Sequence, residues 1–327
     1  MKRQQFIRCC LAAAACSAAL LQALPAVAQS WPARPVKIVV PFAVGGPADL
    51  YARFLAQRMG EQLGQPFVVE NRPGAGAVIG TELVAKAPAD GYTLLLMSNT
   101  QTVNETLLAS KPYELLRDFV PVAPINSSDL VLVANPSAGV NSVKDLLAKA
   151  KAQPGKLTYA SSGTGTPYHM AGELFKSLSG TSILHIPYKG SSGARTDVLG
   201  GQVNMMFDAV TTMAEHIRSG KVKALATSGR TRSAVLPEVP TVAEAGVPGY
   251  ESTIWLGLLA PKGTPMPVVN KLNESVRAIT SQPAVQAEWA RQGATALVMD
   301  AAAFDKYVRD DIQKWAQVIH SAHIKVD

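Results

Sequence analysis

Cysteine is all but missing from this chain of 327 residues: Cys9, Cys10 and Cys16 are present, and none follows. Beyond position 16 the chain has no thiol to act as a nucleophile, bind a metal or form a disulfide. A chain of this length buries enough apolar surface to fold without such staples. Also missing are the GxSxG elbow of serine hydrolases, the HExxH zinc helix and the glycine-rich phosphate loop. No basic run and no interleaving of basic with aromatic side chains marks a nucleic-acid surface. His169 and Glu173 are spaced to share a helix face, but two ligands do not make a metal site, and ordinary hydrogen bonding accounts for the pair. A catalytic triad is recognised by geometry rather than spacing. The sequence gives no positive sign of one, and none of a cofactor or metal.

What is there begins with an export signal. Lys2, Arg3 and Arg8 precede the Ala- and Leu-rich Leu11–Leu24, and Ala26-Val27-Ala28 stands before Gln29. This pattern predicts a secretory signal peptide, residues 1–28, cleaved between Ala28 and Gln29, and hence a periplasmic protein. Gln22 and Pro25 interrupt the apolar run and argue against an uncleaved anchor. Ala13-Ala14-Ala15 before Cys16 is a poor match to a lipidation site, lacking the Leu or Val that belongs three positions earlier. Cleavage would remove all three cysteines and three of the 31 basic residues, leaving 28 against 24 acidic ones. The formal charge falls from +7 to about +4, a mild balance.

After the signal, short β-rich runs alternate with helical patterns, the mark of parallel sheet. The first set is Val36–Phe42, a helix over Pro47–Leu63, Phe67–Asn71, a helix over Ala77–Lys86, and Tyr92–Ser98. A second set has strands over Leu157–Ala160, Ile183–Pro187, Gln202–Phe207 and Val222–Ser228, with helices over Pro167–Leu178, Gly193–Leu199 and Thr211–Arg218. Between them Val120–Ser137 carries Pro121, Pro124 and Pro136, cannot be one helix, and reads as a chain crossing. A comparable crossing is expected at Pro237–Tyr250 before the apolar run Ser252–Ala260. Helices over Pro267–Ser281, Ala284–Gln292 and Ala301–His323 and a short strand near Ala294–Met299 complete the tail.

In each set one strand runs into a small-residue loop that opens a helix. The loops are Ala43-Val44-Gly45-Gly46-Pro47-Ala48-Asp49 and Ser161-Ser162-Gly163-Thr164-Gly165-Thr166-Pro167. Such a loop admits close backbone approach, and the helix start presents unpaired N–H groups and a partial positive charge. A small anion held from both sides suits that pair, although a tight turn without a ligand would use the same residues.

Six stretches carry a family resemblance across nearly the whole mature chain: Pro41–Asp49, Val69–Gly76, Ala89–Leu95, Ser161–His169, His185–Gly190 and Pro237–Thr241. In this order they resemble the Bug (TctC-like) family, periplasmic solute-binding proteins of tripartite tricarboxylate transporters. The resemblance implies an α/β, type 2 periplasmic-binding-protein fold with the ligand cleft between two α/β lobes, and no enzymatic activity. It implies a small carboxylate ligand: a di- or tricarboxylate, an acidic amino acid or an aromatic acid. It places Phe42, Ala43, Gly45, Gly46 and Asp49 on one side of the ligand and Ser161, Gly163, Thr164, Thr166 and His169 on the other. The implied partners are membrane transporter subunits; a second reading is a periplasmic sensor whose closed form docks on a sensor kinase, and the protein is expected to be a monomer.

The residues themselves leave alternatives open. Asp49 favours the helix start but repels an anion, so it either braces its loop or meets an ammonium. Ser98, Asn99, Thr100 and Asn104 follow a strand end where α/β sheets bind ligands, but Asn99 and Thr100 suit helix caps equally. Asp208 holds the matching place in the second set, with the same two readings. Tyr188 and Lys189 lie at the end of another strand, and Lys189 is the nearest cation for a second carboxylate. Gly74–Gly80 is spaced GxGxxxG, one residue too long for a dinucleotide fingerprint, and reads as a cleft-side loop. The expected division is lobe 1 over residues 29–126 and 251–327, and lobe 2 over residues 127–250.

Overall fold

The two strand-loop-helix sets form as the sequence leads one to expect, and a long strand between them belongs to both. The computed structural model describes residues 31–322 and Ile324, so the export signal and the three cysteines lie outside the described residues. The chain divides into two units, Met1–Ala33 and Arg34–Asp327, and all elements named below belong to the second. In chain order they are β1 (Val36–Val40), α1 (Pro47–Leu63), β2 (Phe67–Asn71), α2 (Val78–Ala85), β3 (Thr93–Ser98), α3 (Asn99–Leu107), α4 (Leu115–Asp118), β4 (Phe119–Ala134) and α5 (Val143–Ala152). There follow β5 (Thr158–Ser161), α6 (Pro167–Ser179), β6 (Leu184–Pro187), α7 (Ser191–Leu199), β7 (Met205–Ala209), α8 (Val210–Arg218) and β8 (Lys223–Thr227). The tail is β9 (Thr253–Pro261), α9 (Met266–Thr280), α10 (Pro283–Arg291), β10 (Ala294–Ala296) and α11 (Ala301–Ser321).

The strand order is β2-β1-β3-β9-β4-β7-β5-β6, with β8 and β10 also paired to β4. β1 runs parallel to β2 and β3, and β5 parallel to β6 and β7, because helices make the crossovers. α1 starts with Gly46 as N-cap and Pro47 in its first turn, where a fixed φ and a missing N–H cost nothing, and stops at Gly64 in the left-handed conformation.

The segment expected as a crossing is the sixteen-residue strand β4. Pro121 and Pro124 cannot donate to a ladder, and the register against β9 shifts beside each of them, between Pro121 and Ala123 and between Pro124 and Asn126. Phe119–Asp129 pairs with β9, while Leu130–Ala134 pairs with β7 and Val131–Ala134 with β8. Residues 237–250 stay against the second set: Thr241 bridges Thr227, and the Tyr250 ring stacks on Phe207 at 5.7 Å. α3, α4 and α5 are further helices that the sequence reading does not place.

Each set has its own core. Val39, Leu95, Met97, Trp255, Phe304 and Val308 are buried in the first, and Leu132, Tyr159, Phe175, Phe207 and Tyr250 in the second. A smaller cluster joins the two: Val103 and Leu107 of α3 and Trp315 and Ile319 of α11 enclose Met170 of α6.

Candidate functional site

The loop after β1 is held from behind by its own helix. Asp49, 2% exposed, accepts the Gly45 N–H at 3.0 Å, Arg53 Nε at 3.0 Å and Asn71 Nδ2 at 3.0 Å. Burial alone would raise its pKa, but these donors, Arg53 foremost, hold it below the ordinary carboxylate value. Asn71 Nδ2 also reaches Phe42 O at 3.1 Å, and Gly45 takes φ +83°, so the turn is tied at both ends. Asp49 braces the loop, one of its two expected roles.

The loop after β5 is built on a parallel plan. Thr166 Oγ1 donates to Gly163 O at 2.6 Å, Ser161 Oγ accepts the Gly163 N–H at 3.1 Å, and the Gly165 N–H donates to His169 Nδ1 at 3.1 Å. Ser161 Oγ lies 2.6 Å from His185 Nε2, and the His185 ring packs on His169 at 4.3 Å and on Tyr159 at 4.8 Å. Burial pushes His169 down to about 4, and burial together with the neighbouring His169 pushes His185 down to about 3, so both rings are neutral at pH 7. His169, Glu173, Lys176 and His185 line a groove of about 460 Å³ together with Thr164. Among the described residues, no group of three His, Cys, Asp or Glu side chains is placed to hold a metal ion.

Loops of both sets meet over a small cavity of about 20 Å³, room for a water-sized group. Its walls are Phe42, Ala43, Gly46, Pro47 and Ala48 from the first loop, Ser98 at the head of α3, Ser162, Pro167 and Tyr168 from the second loop, Ser191 at the start of α7, and Ile254 and Leu256 of β9. Phe42 and Ser162 also line an adjoining cavity of about 430 Å³, walled by Gly74–Ala77, Gly163, Thr164, Tyr188 and Lys189. The approach is backbone to backbone: a Cβ placed on Gly76 would lie 2.4 Å from Thr164 O, and one on Gly190 2.9 Å from Ala43 N.

No charged side chain lines the inner cavity. Three helices open at it, α1, α6 and α7, and their N-caps Gly46, Thr166 and Gly190 lack a side-chain capping bond, which leaves first-turn N–H groups without that partner. α3 differs, because Ser98 and Gln101 close its start as a capping box. Ser162, 5% exposed, has an Oγ without a hydrogen-bond partner.

Of the residues singled out from the sequence, Phe42, Ala43, Gly46 and Ser98 line the inner cavity, and Gly163, Thr164 and Tyr188 the outer one. Gly45, Asp49, Ser161 and Thr166 stand behind these walls as loop braces. Asn99 Nδ2 bonds Thr253 O, and Thr100 accepts from Ser98 Oγ; neither reaches a cavity wall. Asp208, fully buried, accepts from the Ala209 N–H, Thr212 Oγ1 and Arg195 Nε at 2.7 Å. His169 belongs to the separate groove. Sequence reasoning passed over Ser162, Tyr168, Ser191, Ile254 and Leu256. Ser162 sits inside a loop already marked, whereas Ile254 and Leu256 look like any buried strand.

The chain matches the model of the tripartite tricarboxylate transporter family receptors over residues 51–324. It is 42% identical over 306 residues to BugT of Bordetella pertussis, covering 93% of this chain and 94% of that one. Among solved structures, that of R. palustris Rpa4515 with adipate is similar at TM-score 0.87 and 35% identity, over 90% of this chain and 99% of that one. The periplasmic binding protein BugD is similar at TM-score 0.86 and 38% identity, over 90% and 99%. MatC from Rhodopseudomonas palustris, with bound malate, follows at TM-score 0.84 and 32% identity, over 88% and 100%. The fold is the type 2 periplasmic-binding-protein fold, two α/β lobes with a cleft between them. Among the described residues no helix is long and apolar enough to cross a membrane. By its loops, its fold and its relatives, this chain belongs to the tripartite tricarboxylate transporter family receptors, the Bug group of periplasmic solute-binding proteins.

Proposed function

We propose that the protein captures a small carboxylate between its two lobes in the periplasm and hands it to a membrane transporter of the tripartite tricarboxylate type. The observation that carries this is the convergence of three helix starts without side-chain caps, from both lobes, on a cavity with no charged wall. Backbone N–H groups and helix dipoles hold an anion there without a cationic side chain, and Ser162 Oγ supplies one more unpaired donor. Adipate and malate in the structures of similar proteins support a carboxylate. Phe42, Ala43, Gly46, Ser98 and Ser162 would touch the ligand, with Gly163, Thr164 and Tyr188 at its outer end; Gly45, Asp49, Ser161, Thr166 and Asp208 would position them.

The lobes divide near residue 126 on β4 and near residue 251 before β9, and closure turns about these two connections. The protein reaches the periplasm by cleavage after Ala28, works as a monomer, and releases its ligand chemically unchanged. The test is thermal unfolding of residues 29–327, stripped by unfolding and refolding, against mono-, di- and tricarboxylates, amino acids and aromatic acids. An acid at a hundred times its Kd should add about 2.7 kcal/mol of stability, and its amide should add none. No shift with any acid would overturn the carboxylate reading; a ligand recovered in altered form would overturn the receptor reading.

A further inference from the structure

Four residues in the walls of the inner cavity carry hydroxyl groups: Ser98, Ser162, Tyr168 and Ser191. They are not equally free. Ser98 Oγ accepts the Thr100 N–H at 3.1 Å and donates its proton to Thr100 Oγ1 at 2.8 Å, so it is engaged in the start of α3. Ser191 Oγ is pressed against Gly46, where a Cβ would lie 2.9 Å from it. Ser162 Oγ and Tyr168 OH are buried and have no hydrogen-bond partner. Both belong to lobe 2, one in the loop after β5 and the other in the first turn of α6, and they share the cavity with Gly46, Pro47 and Ala48 at the start of α1. Tyr168 is 4% exposed. Burial foremost, with the nearby charge of Asp208, raises its pKa far above the ordinary tyrosine value, so it keeps its proton and is a donor. Ser191 stands beside the phenol, but no hydrogen bond joins them. A buried donor left without an acceptor is destabilising, and native folds keep few of them. Phe42 and Ser162 line both cavities, so a group entering the inner one from the outer one passes Ser162 and meets Tyr168. An ionised carboxylate oxygen, which only accepts, is what this pair of donors lacks.

We infer that Tyr168 is a ligand-binding residue of the cleft, its hydroxyl donating to the carboxylate oxygen seated in the inner cavity beside Ser162 Oγ. This rests on the reading of the cleft as a carboxylate site. The amides at the start of α1 belong to lobe 1 and Tyr168 to lobe 2, so the bond forms only when the lobes close on an occupied cleft, and it ties closure to occupancy. Tyr168→Phe keeps the ring in the wall and removes the oxygen. The test titrates stripped mature protein, wild type and Tyr168→Phe, with malate, adipate, citrate, glutamate and benzoate in a calorimeter, and follows thermal unfolding of both without ligand. For an acid that binds wild type, the variant should bind at least fivefold more weakly. Its unliganded Tm should be equal or higher, because the lost hydroxyl had no partner in the fold. A smaller change in Kd would overturn the inference while leaving the carboxylate reading intact. Weaker binding together with a lower unliganded Tm would make Tyr168 a structural brace and overturn it as well. Binding of none of the five acids to wild type would remove the carboxylate reading and the inference with it.

Discussion

Replacing Asp49 by Asn removes the charge that Arg53 and the Gly45 amide share while keeping the side chain's shape. The expected cost is about 1–3 kcal/mol, read from the urea midpoint at pH 7. Because the folded-state pKa is lowered, this stabilisation is present above the ordinary carboxylate range and lost as pH falls through the folded value, so the gap between wild type and variant closes in acid. Asp311 has the opposite sign. Desolvation raises it to about 6, in spite of the hydrogen bond from Thr102. A raised carboxylate makes the fold most stable below the unfolded pKa and costs stability as pH rises through the folded one. Asp311→Asn should therefore gain about 1–3 kcal/mol at pH 7.5 and lose most of that gain at pH 4, measured by thermal unfolding at both. Asp49 was legible from sequence as a residue of the first loop. Its role as a brace was not, because that depends on Asn71, 22 positions away on β2.

At the scale of elements, the junction of α6 with β6 rests on two neutral imidazoles. His169 Nδ1 accepts from the Gly165 amide, and a protonated ring could not. Both rings are lowered in the fold, so the unfolded chain takes up protons first and stability falls as pH drops from about 6.5 towards 4. His169→Asn, which keeps an acceptor near Nδ1 but does not titrate, should flatten that part of the stability-pH curve. A second prediction concerns α3 and α11, which hold Met170 of α6. Met170→Ala should cost about 2–5 kcal/mol of stability and, because the contact spans the lobes, speed ligand release in stopped-flow more than it slows binding. The helix starts were readable because Gly46-Pro47 and Thr166-Pro167 announce them. α3 was not, since Asn99–Leu107 reads NTQTVNETL with few apolar residues at helical spacing, and its burial comes from neighbours that only the fold supplies. β4 hid for a related reason: its prolines argue against regular pairing, and the register shifts that accommodate them are set by β9, more than a hundred residues later.

For the whole molecule, closure should appear in solution as a smaller radius of gyration when ligand is added to stripped protein, read by small-angle scattering. Gly76→Ala should hold the lobes apart, because its Cβ would press on Thr164 O; the scattering change should shrink and the affinity fall at least tenfold. The two-lobe plan was visible in the repeated strand-loop-helix phrase, whereas the inner cavity was not, because its walls come from five separate stretches of chain.

Beside the cleft, part of the rim where the lobes touch is glycine against backbone, at Gly76 against Thr164 O and at Gly190 against Ala43 N. Contacts of that kind carry no information about what lies inside. The seal and the contents are thereby uncoupled: Ser98, Ser162, Ser191, Ile254 or Leu256 can be exchanged to admit a different acid without refitting the rim. Retuning such a receptor should need only a few wall substitutions, and a graft of these five positions from a relative of known preference should carry that preference across.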